Sequence, residues 1–369
     1  MGFLGGRREP IGLQIGKASV VAAQLSGRPH EPVLRTFAER LLPPGIVFEG
    51  EVLDPESLAV ELKALFKESS LKGKVVRVGV GNQKVVVRNI EVPDMDPEEL
   101  RGAIEFQAQD YIPLPIENVT LDYQVVGRQV DEDGVVRQKV LLVAAQTDMI
   151  QQFLTACHKA GLVVEGIDLN AFAVLRALTP PIPFLEQGAA PEEATGFLNI
   201  ESSVNTLVVA AAGIPMFTRI SSFAYDNFQS VLVEHQGVPP EDARALTELI
   251  GVPGPLAAFE ESYSAATVTD VRGTLERVAD QFSADIRRSL DYYLSQEYAV
   301  PVAGLVLSGR GPLLRNLDSY LSESLGLPVE IGNSMVRIVA NKTGYPDEYV
   351  AAMAPRLAVP IGLALDEVE

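Results

Sequence analysis

The sequence predicts a duplicated α/β fold, in which two domains face a shared cleft and a smaller unit is inserted in the first. Three observations carry this reading. Ile11-Gly-Leu-Gln-Ile-Gly16 reads as a buried strand entering a glycine turn, with Ser19 to Leu25 as its return strand. Leu198-Asn-Ile-Glu-Ser-Ser-Val-Asn205, followed by the apolar run Thr206 to Gly213, repeats that pattern in the second half. Leu305-Val-Leu-Ser-Gly-Arg-Gly-Pro-Leu-Leu314 supplies a third buried strand, a Gly-x-Gly turn and a helix opening at Pro312. Alone, Gly309-x-Gly311 is a weak signal, since a tight turn explains it. Beside two hairpins of one kind it marks a cleft.

The totals agree with two domains. A chain of 369 residues exceeds what one core supports, and 47% apolar residues are enough to fill two. The formal charge of -19 repels nucleic acid phosphates and anionic headgroups alike, so no nucleic acid partner is expected. Cys157 is the only cysteine, and His30, His158 and His235 are scattered, which leaves no disulfide framework or zinc site. The apolar runs Leu207 to Phe217 and Ala299 to Leu307 fall well short of the ~18 residues of a bilayer span. The opening MGFLGGRREP has only Phe3 and Leu4 as large apolar residues, too few for a secretory signal.

Taken in order, Pro55 to Lys67 sets Leu58, Leu62, Leu65 and Phe66 at helical spacing behind the cap Asp54. Val75 to Val80 and Lys84 to Val92 are β-branched strands. Asp96-Pro-Glu-Glu99 then starts a helix with a cap, proline in the first turn and acids beside it, running to about Tyr111 and ending before Pro113. Val119 to Val126 and Val135 to Ala145 form a hairpin around Asp133-Gly134. Asp148 to Ala160 is a helix with Ile150, Phe153, Leu154 and Cys157 on one face, which makes Cys157 a core residue. The strand Val163 to Leu169 follows. Thr179 to Thr195 holds four prolines, three glutamates and a glycine, the clearest linker in the chain. In the second half, Tyr225 to Tyr298 is helical and loop-rich. Within it Val271 to Leu294 is a long helix with Leu275, Val278, Phe282, Ile286, Leu290 and Tyr293 along a core face. Val302 to Leu307 returns to strand, and Pro360 to Leu365 is a short terminal helix.

This arrangement resembles the actin-like ATPase superfamily, whose fold is ribonuclease H-like, and within it the PilM family of type IV pilus assembly, related to the division protein FtsA. The residues that carry the resemblance are Ile11 to Gly16, Phe106 to Tyr123 with its Tyr-Ile-Pro-Leu-Pro core, Ala160 to Ala173, Ile286 to Tyr293, Leu307 to Leu317 and Ile361 to Leu365. They span essentially the whole chain in the family's order. The resemblance implies a flexible start (1–10), a first domain (11–185) with an SHS2-type insert at about 76–147, a second domain (196–350), and a terminal segment (351–369) docking back.

In the superfamily the two hairpins and the glycine turn surround ATP, with one acid in each hairpin handling magnesium or water. The resemblance maps that site onto Gln14, Gly16, Lys17, Ser19 and Val21, then Asn199, Glu201, Ser202 and Ser203, then Arg244 and Thr247, then Gly309, Arg310 and Gly311. Several depart from the pattern. Gln14 and Asn199 stand where acids are usual, Lys17 where Ser or Thr is usual, Val21 where a lysine is usual, Glu201 and Arg310 where glycines are usual. Ala243 to Thr247 lacks the Glu and Lys that touch the nucleoside. The expectation is a degenerate site, a pseudo-ATPase with no catalytic residues, no metal and no cofactor. The alternative is ATP with magnesium, if Lys17 or Arg310 supplies a relocated charge and Gln14 or Asn199 orients water.

The resemblance then implies a cytoplasmic scaffold, peripheral to the inner membrane through its partners. It would bind the N-terminal tail of PilN in a groove beside the insert and connect other pilus inner-membrane and motor proteins. Phe106, Tyr111, Ile112 and Pro113 are the candidate groove residues, with sealing of the insert as their other reading. Two further classes stay open. One is a working, self-associating actin-like ATPase. The other is a sugar-kinase-like enzyme on the same fold, for which Asp168 is the best available base, a cap or hinge role being its other reading.

Overall fold

The computed structural model describes residues 10–130, 134–180, 191–255 and 263–365. Asp133, the first ten residues apart from Pro10, and the middle of the proline-rich linker lie outside them. The strands are β1 (Ile11–Ile15), β2 (Ser19–Arg28), β3 (Glu31–Leu41), the short pair β4 (Val47–Phe48) and β5 (Glu51–Val52), β6 (Val75–Val80), β7 (Val85–Pro93), β8 (Val119–Val130) and β9 (Val136–Gln146). They continue with β10 (Val163–Leu169), β11 (Ala194–Ile200), β12 (Asn205–Ala211), β13 (Ile214–Ser221), β14 (Val302–Gly309), β15 (Val329–Ile331) and β16 (Ala340–Asn341). The helices are α1 (Pro55–Glu68), α2 (Pro97–Tyr111), α3 (Thr147–Lys159), α4 (Asn170–Leu178), α5 (Tyr225–Gln236), α6 (Pro240–Leu249), α7 (Ala265–Leu294), α8 (Leu317–Leu325), α9 (Asp347–Met353) and α10 (Ala358–Ala364).

The duplication is visible in strand order. One sheet runs β10-β6-β1-β2-β3-β16 and the other β13-β12-β11-β14-β15. In each, a three-stranded antiparallel meander (β1-β2-β3, β11-β12-β13) is extended by two parallel strands on the side of its first strand. β1 and β12 are buried along their whole length, as sheets covered on both faces require. β3 was not anticipated, because Pro32 and the charged Arg35, Glu39 and Arg40 interrupt its apolar pattern.

Helices cover these sheets with the faces their spacing predicts. On α7, Leu275, Val278, Phe282, Ile286, Leu290 and Tyr293 join Phe228 and the β11–β12 strands in one core. Asp54 and Asp96 cap α1 and α2, each accepting backbone N–H bonds from the first turn. Cys157 lies in the first core with Phe153 and Leu62, where burial pushes its thiol up to about 12.

Two expected boundaries move. β6 belongs to the six-stranded sheet, paired with β1 and β10, so the inserted unit begins at β7 rather than near 76. That unit is the sheet β7-β9-β8 with α2 packed across it through Leu100, Ile104 and Ala108, and with Ile112 just beyond the helix in the same core. The second half also ends before 350. β16 pairs with β3, Ala340 opposite Val33, and Met335, Ile338 and Val350 pack with Leu34 and Phe37. The chain has therefore returned to the first half well before the terminal helix.

That helix sits in the interior. A side chain on Gly12 would meet the Pro360 carbonyl oxygen at 1.9 Å, and one on Gly362 would meet the Ala173 carbonyl oxygen at 1.8 Å. The backbones of β1, α10 and α4 are thus stacked at glycine distance, while α4 also shares a cluster with Phe197, Val208 and Ala210 of the second sheet. This stack joins the halves and sets the two hairpins opposite one another.

Candidate functional site

The cleft is lined by three chain reversals. In the first, the Gly16 N–H donates to the Ser19 carbonyl (3.0 Å), closing the β1–β2 turn. In the second, the Glu201 N–H donates to the Val204 carbonyl (2.9 Å), and the Glu201 and Ser202 carbonyls accept from Tyr225 and Asp226 at the start of α5. The third leaves β14 through Gly309, in the left-handed region at φ 73°, and the Arg310 N–H donates to the Ile200 carbonyl at 2.6 Å. A side chain on Gly309 would meet that same carbonyl at 2.6 Å. Gly309 is therefore required by the close approach of the chain leaving β14 to the end of β11 beside it, independently of any phosphate.

Charged side chains cross the cleft between the halves. Lys17 Nζ lies 2.6 Å from Asp226 Oδ2. Arg310 reaches from the second half to Ser19 Oγ (3.1 Å) and Glu39 Oε1 (3.2 Å) of the first. Arg356, on the turn before α10, pairs with the same Glu39 oxygen. Burial pushes Glu39 upward, but Arg356, the Ser19 hydroxyl and Arg310 together outweigh it and hold the carboxyl below its usual range. Glu39 is thus an ionised link between two arginines, one from each side of the cleft.

Glu201 is only half-buried as a residue, yet its carboxyl is turned inward. Burial pushes it above the ordinary carboxylate range, with Arg310, Gln14, Asn199 and Arg356 pulling against that without reversing it. Asn199 is buried and bonded at both ends of its amide: its Oδ1 accepts from Ser308 Oγ (2.9 Å), and its Nδ2 donates to Glu201 Oε1 (3.4 Å). Gln14, also buried, completes this polar floor. The two positions expected to carry acids hold amides that bond the neighbouring carboxyl instead.

The remaining candidates separate. Val21 packs among Ala23, Leu25, Leu34 and Phe37 beneath α10, an apolar setting in place of the expected phosphate-facing one. Ser202 is buried in its turn, and Ser203 is partly exposed. Thr247 is buried and donates its hydroxyl back to the Ala243 carbonyl (2.8 Å), a bond internal to α6. Arg244 pairs with Glu248 one turn on (2.9 Å) at the cleft rim. Burial and Glu248 push the nearby Tyr225 phenol above its usual range, opposed by Arg310 and Arg244. Gly311 packs on Ile200, its would-be Cβ 2.8 Å from the Ile200 Cδ1.

Asp168 does not face the cleft as a free base. Both terminal nitrogens of the Arg176 guanidinium hold it, at 2.8 and 2.5 Å, and it accepts from the Leu169 N–H at the start of α4. Arg176 also donates to the Gly362 carbonyl (2.8 Å), so the pair fastens α4 to α10. Glu39, Asp226 and Arg356 are the members that sequence reading missed. A glutamate inside an otherwise half-buried strand was the available signal for the first.

On the insert, Phe106 is 84% exposed and Tyr111 37% exposed, and Pro113 is exposed. Ile112 is buried in the insert's own core with Ile104 and Leu142, which corrects its place among groove residues. Five residues apart on α2, Phe106 and Tyr111 project about 140° from each other, so they do not share one face. The insert meets the second half where Asn89 Nδ2 donates to the carbonyls of Pro215 (3.2 Å) and Met216 (2.7 Å). Among the described residues no helix is long and apolar enough to cross a membrane, and no cluster of His, Cys, Asp and Glu could hold a metal ion.

Known proteins place this architecture. A chain in the solved structure of a PilM-PilN type IV pilus biogenesis complex superimposes with a TM-score of 0.81 at 27% identity, over 97% of this chain and 98% of that one. Two more distant structures share the fold. The ethanolamine utilization protein EutJ from Carboxydothermus hydrogenoformans has a TM-score of 0.55 and 12% identity, covering 96% of this chain and 89% of that one. MreB 5 of Spiroplasma citri, bound to AMPPNP, has a TM-score of 0.55 and 13% identity, covering 96% and 95%. The family model described as type IV pilus assembly protein PilM matches residues 12–368. With nearly its whole length matched, and with the duplicated sheets and inserted unit described above, the chain belongs to the PilM family of type IV pilus assembly proteins and has the actin-like fold.

Proposed function

We propose that this protein is a scaffold of the type IV pilus machinery whose former nucleotide cleft now holds its two halves together. The observation that carries this reading is the charge network across the cleft. The two cations that could have met a phosphate, Lys17 and Arg310, are bonded to the chain's own Asp226 and to Ser19 and Glu39. A triphosphate entering here would have to displace Glu39 from two arginines and approach the Glu201 carboxyl. Two like charges at ~4 Å repel by roughly 4 kcal/mol at an effective dielectric of 20. Hydrolysis would further need an acid at Gln14 or Asn199.

With chemistry set aside, the working surface is a groove for the N-terminal cytoplasmic tail of PilN, and the protein lies in the cytoplasm against the inner membrane through that partner. Likeness to a PilM-PilN complex supports the partner. Among the described residues β8 ends the insert's sheet with no strand paired to its outer edge, which is where an added strand would dock. Phe106, Tyr111 and Pro113 offer exposed apolar surface on the same unit, and a net charge of -19 favours a basic tail.

The test is a titration of the full chain with the synthetic N-terminal tail of the PilN from the same genome, without nucleotide. Binding that is weakened tenfold or more by a proline at an outward N–H of β8, or by Tyr111→Asp, with unchanged melting of the variant, supports the groove. Tail binding that appears only with magnesium and ATP contradicts the reading.

A further inference from the structure

A second charged site lies at the other end of the first sheet. Gln24 pairs with Ile11 at the entry of β1, and Val75 opens the parallel strand β6 on the same side, so this end is opposite the β1–β2 turn that faces the cleft. A depression of about 580 Å3 opens there, lined by Arg35 of β3, Lys72 and Lys74 of the α1–β6 loop, and Lys342 just after β16. Among the described residues none of these four cations has an acid within ion-pair distance. In a chain of net charge -19, four unpaired cations in one hollow stand out against a cleft whose cations are all matched.

The backbone under these charges is fixed. Gln24 grips Lys72 from both sides, its Oε1 accepting from the Lys72 N–H (2.9 Å) and its Nε2 donating to the Lys72 carbonyl (2.7 Å). The Lys74 carbonyl accepts from Val163 (2.7 Å), and the Lys342 N–H donates to the Leu34 carbonyl (2.8 Å). Between the two lysines Gly73 takes φ 101°, open to solvent with nothing within 4 Å of an added Cβ. The loop is thus pinned to the sheet at both lysines, which fixes where their side chains start along the rim of the hollow.

We propose that this hollow binds a phosphate-bearing polyanion. Its volume falls in the range of small-molecule sites, about 300–1,000 Å3, which admits an oligophosphate or a lipid headgroup. Arg35 brings a planar fork matched to phosphate oxygens, and three lysines of the same lining bring point charges. The two sources of this chemistry are a soluble oligophosphate and the phosphates of an anionic membrane surface.

The experiment uses the full chain in two arms at physiological salt. One is calorimetric titration with inorganic tripolyphosphate. The other is co-sedimentation with vesicles of phosphatidylcholine alone or mixed equally with phosphatidylglycerol. Lys72→Gln with Lys342→Gln, and Arg35→Gln separately, replace exposed side chains and leave the backbone bonds in place. Arg101→Gln on the insert is the control. Tenfold or greater weakening in the pocket variants, with the control unchanged, supports the site, and the arm that responds names the source. Absence of binding in both arms, or binding that the pocket variants do not alter, overturns it. PilN tail binding is expected to be the same in all of these variants, so this site and the groove succeed or fail separately.

Discussion

Replacing Arg310 by methionine removes the guanidinium that spans the cleft while keeping most of the side chain's length. The variant loses the bonds to Ser19 and Glu39 and the positive charge that opposes Glu201. A broken buried pair costs ~3–5 kcal/mol. Here Glu39 retains Arg356 and is 22% exposed, so water returns part of that, and the expected loss is about 2–3 kcal/mol. The pH dependence follows from the two carboxyls. Glu39, held low in the native protein, contributes stability that is present above the unfolded carboxylate pKa and lost as pH falls through its folded value. Glu201, held high, contributes stability that is present below the unfolded value and lost as pH rises. Without Arg310 both move up, so the deficit of the variant is larger at pH 8 than at pH 5. The chain has no tryptophan, so the assay is circular dichroism or scanning calorimetry at the two pH values. Adding Glu201→Gln to the variant should recover part of the loss. Equal melting of variant and native protein at pH 8, or a deficit greater at pH 5, refutes the network.

Glu201→Gln alone is expected to raise the melting temperature by a few degrees at pH 8, with the gain shrinking toward pH 4 as the native carboxyl protonates; thermal melts across that range check the sign. Gly362→Ala should destabilise by ~1–3 kcal/mol, because its methyl group would lie 1.8 Å from the Ala173 carbonyl; urea titration reads this directly. Cys157, buried with its thiol pushed up to about 12, should react with a disulfide reagent only as fast as the protein unfolds, so native-state labelling within minutes would contradict its core position.

Much of this fold was legible because local chemistry and tertiary role coincide. Asp54 and Asp96 look like caps and are caps; the apolar spacing of α7 is the face that packs on Phe228. The two hairpins carry the duplication because buried strands on both sides of a glycine or serine turn leave few other folds. β3 and β16 were hidden for a physical reason. Glu39 and Arg40 are charged strand residues whose partners, Arg310, Arg356 and Glu61, come from distant segments, and β16 is two residues long. The site was legible as departures from a pattern, whereas what replaced the pattern was not. Arg310 reads in sequence as a lost glycine, and only the juxtaposition of the halves shows it as a link to Glu39. Lys17 likewise finds its meaning in Asp226, 209 positions away. Val21 stood at a position implied by resemblance, but its neighbours on β3 and α10 are apolar and draw it into their core.

In the proposed scaffold the cleft is held by the protein's own charges and not by a nucleotide. Calorimetric titration of the full chain with ATP and magnesium tests this most directly. The titration is run beside Arg310→Met and beside a variant carrying Gln14→Asp, Asn199→Asp and Glu201→Gly together. No binding heat is expected from the native chain, and none from Arg310→Met, which lacks the acids and the phosphate-facing groups. Measurable binding is expected once the two acids and the glycine are restored. Micromolar, magnesium-dependent binding by the native chain would contradict the proposed scaffold and make the cleft a working nucleotide site.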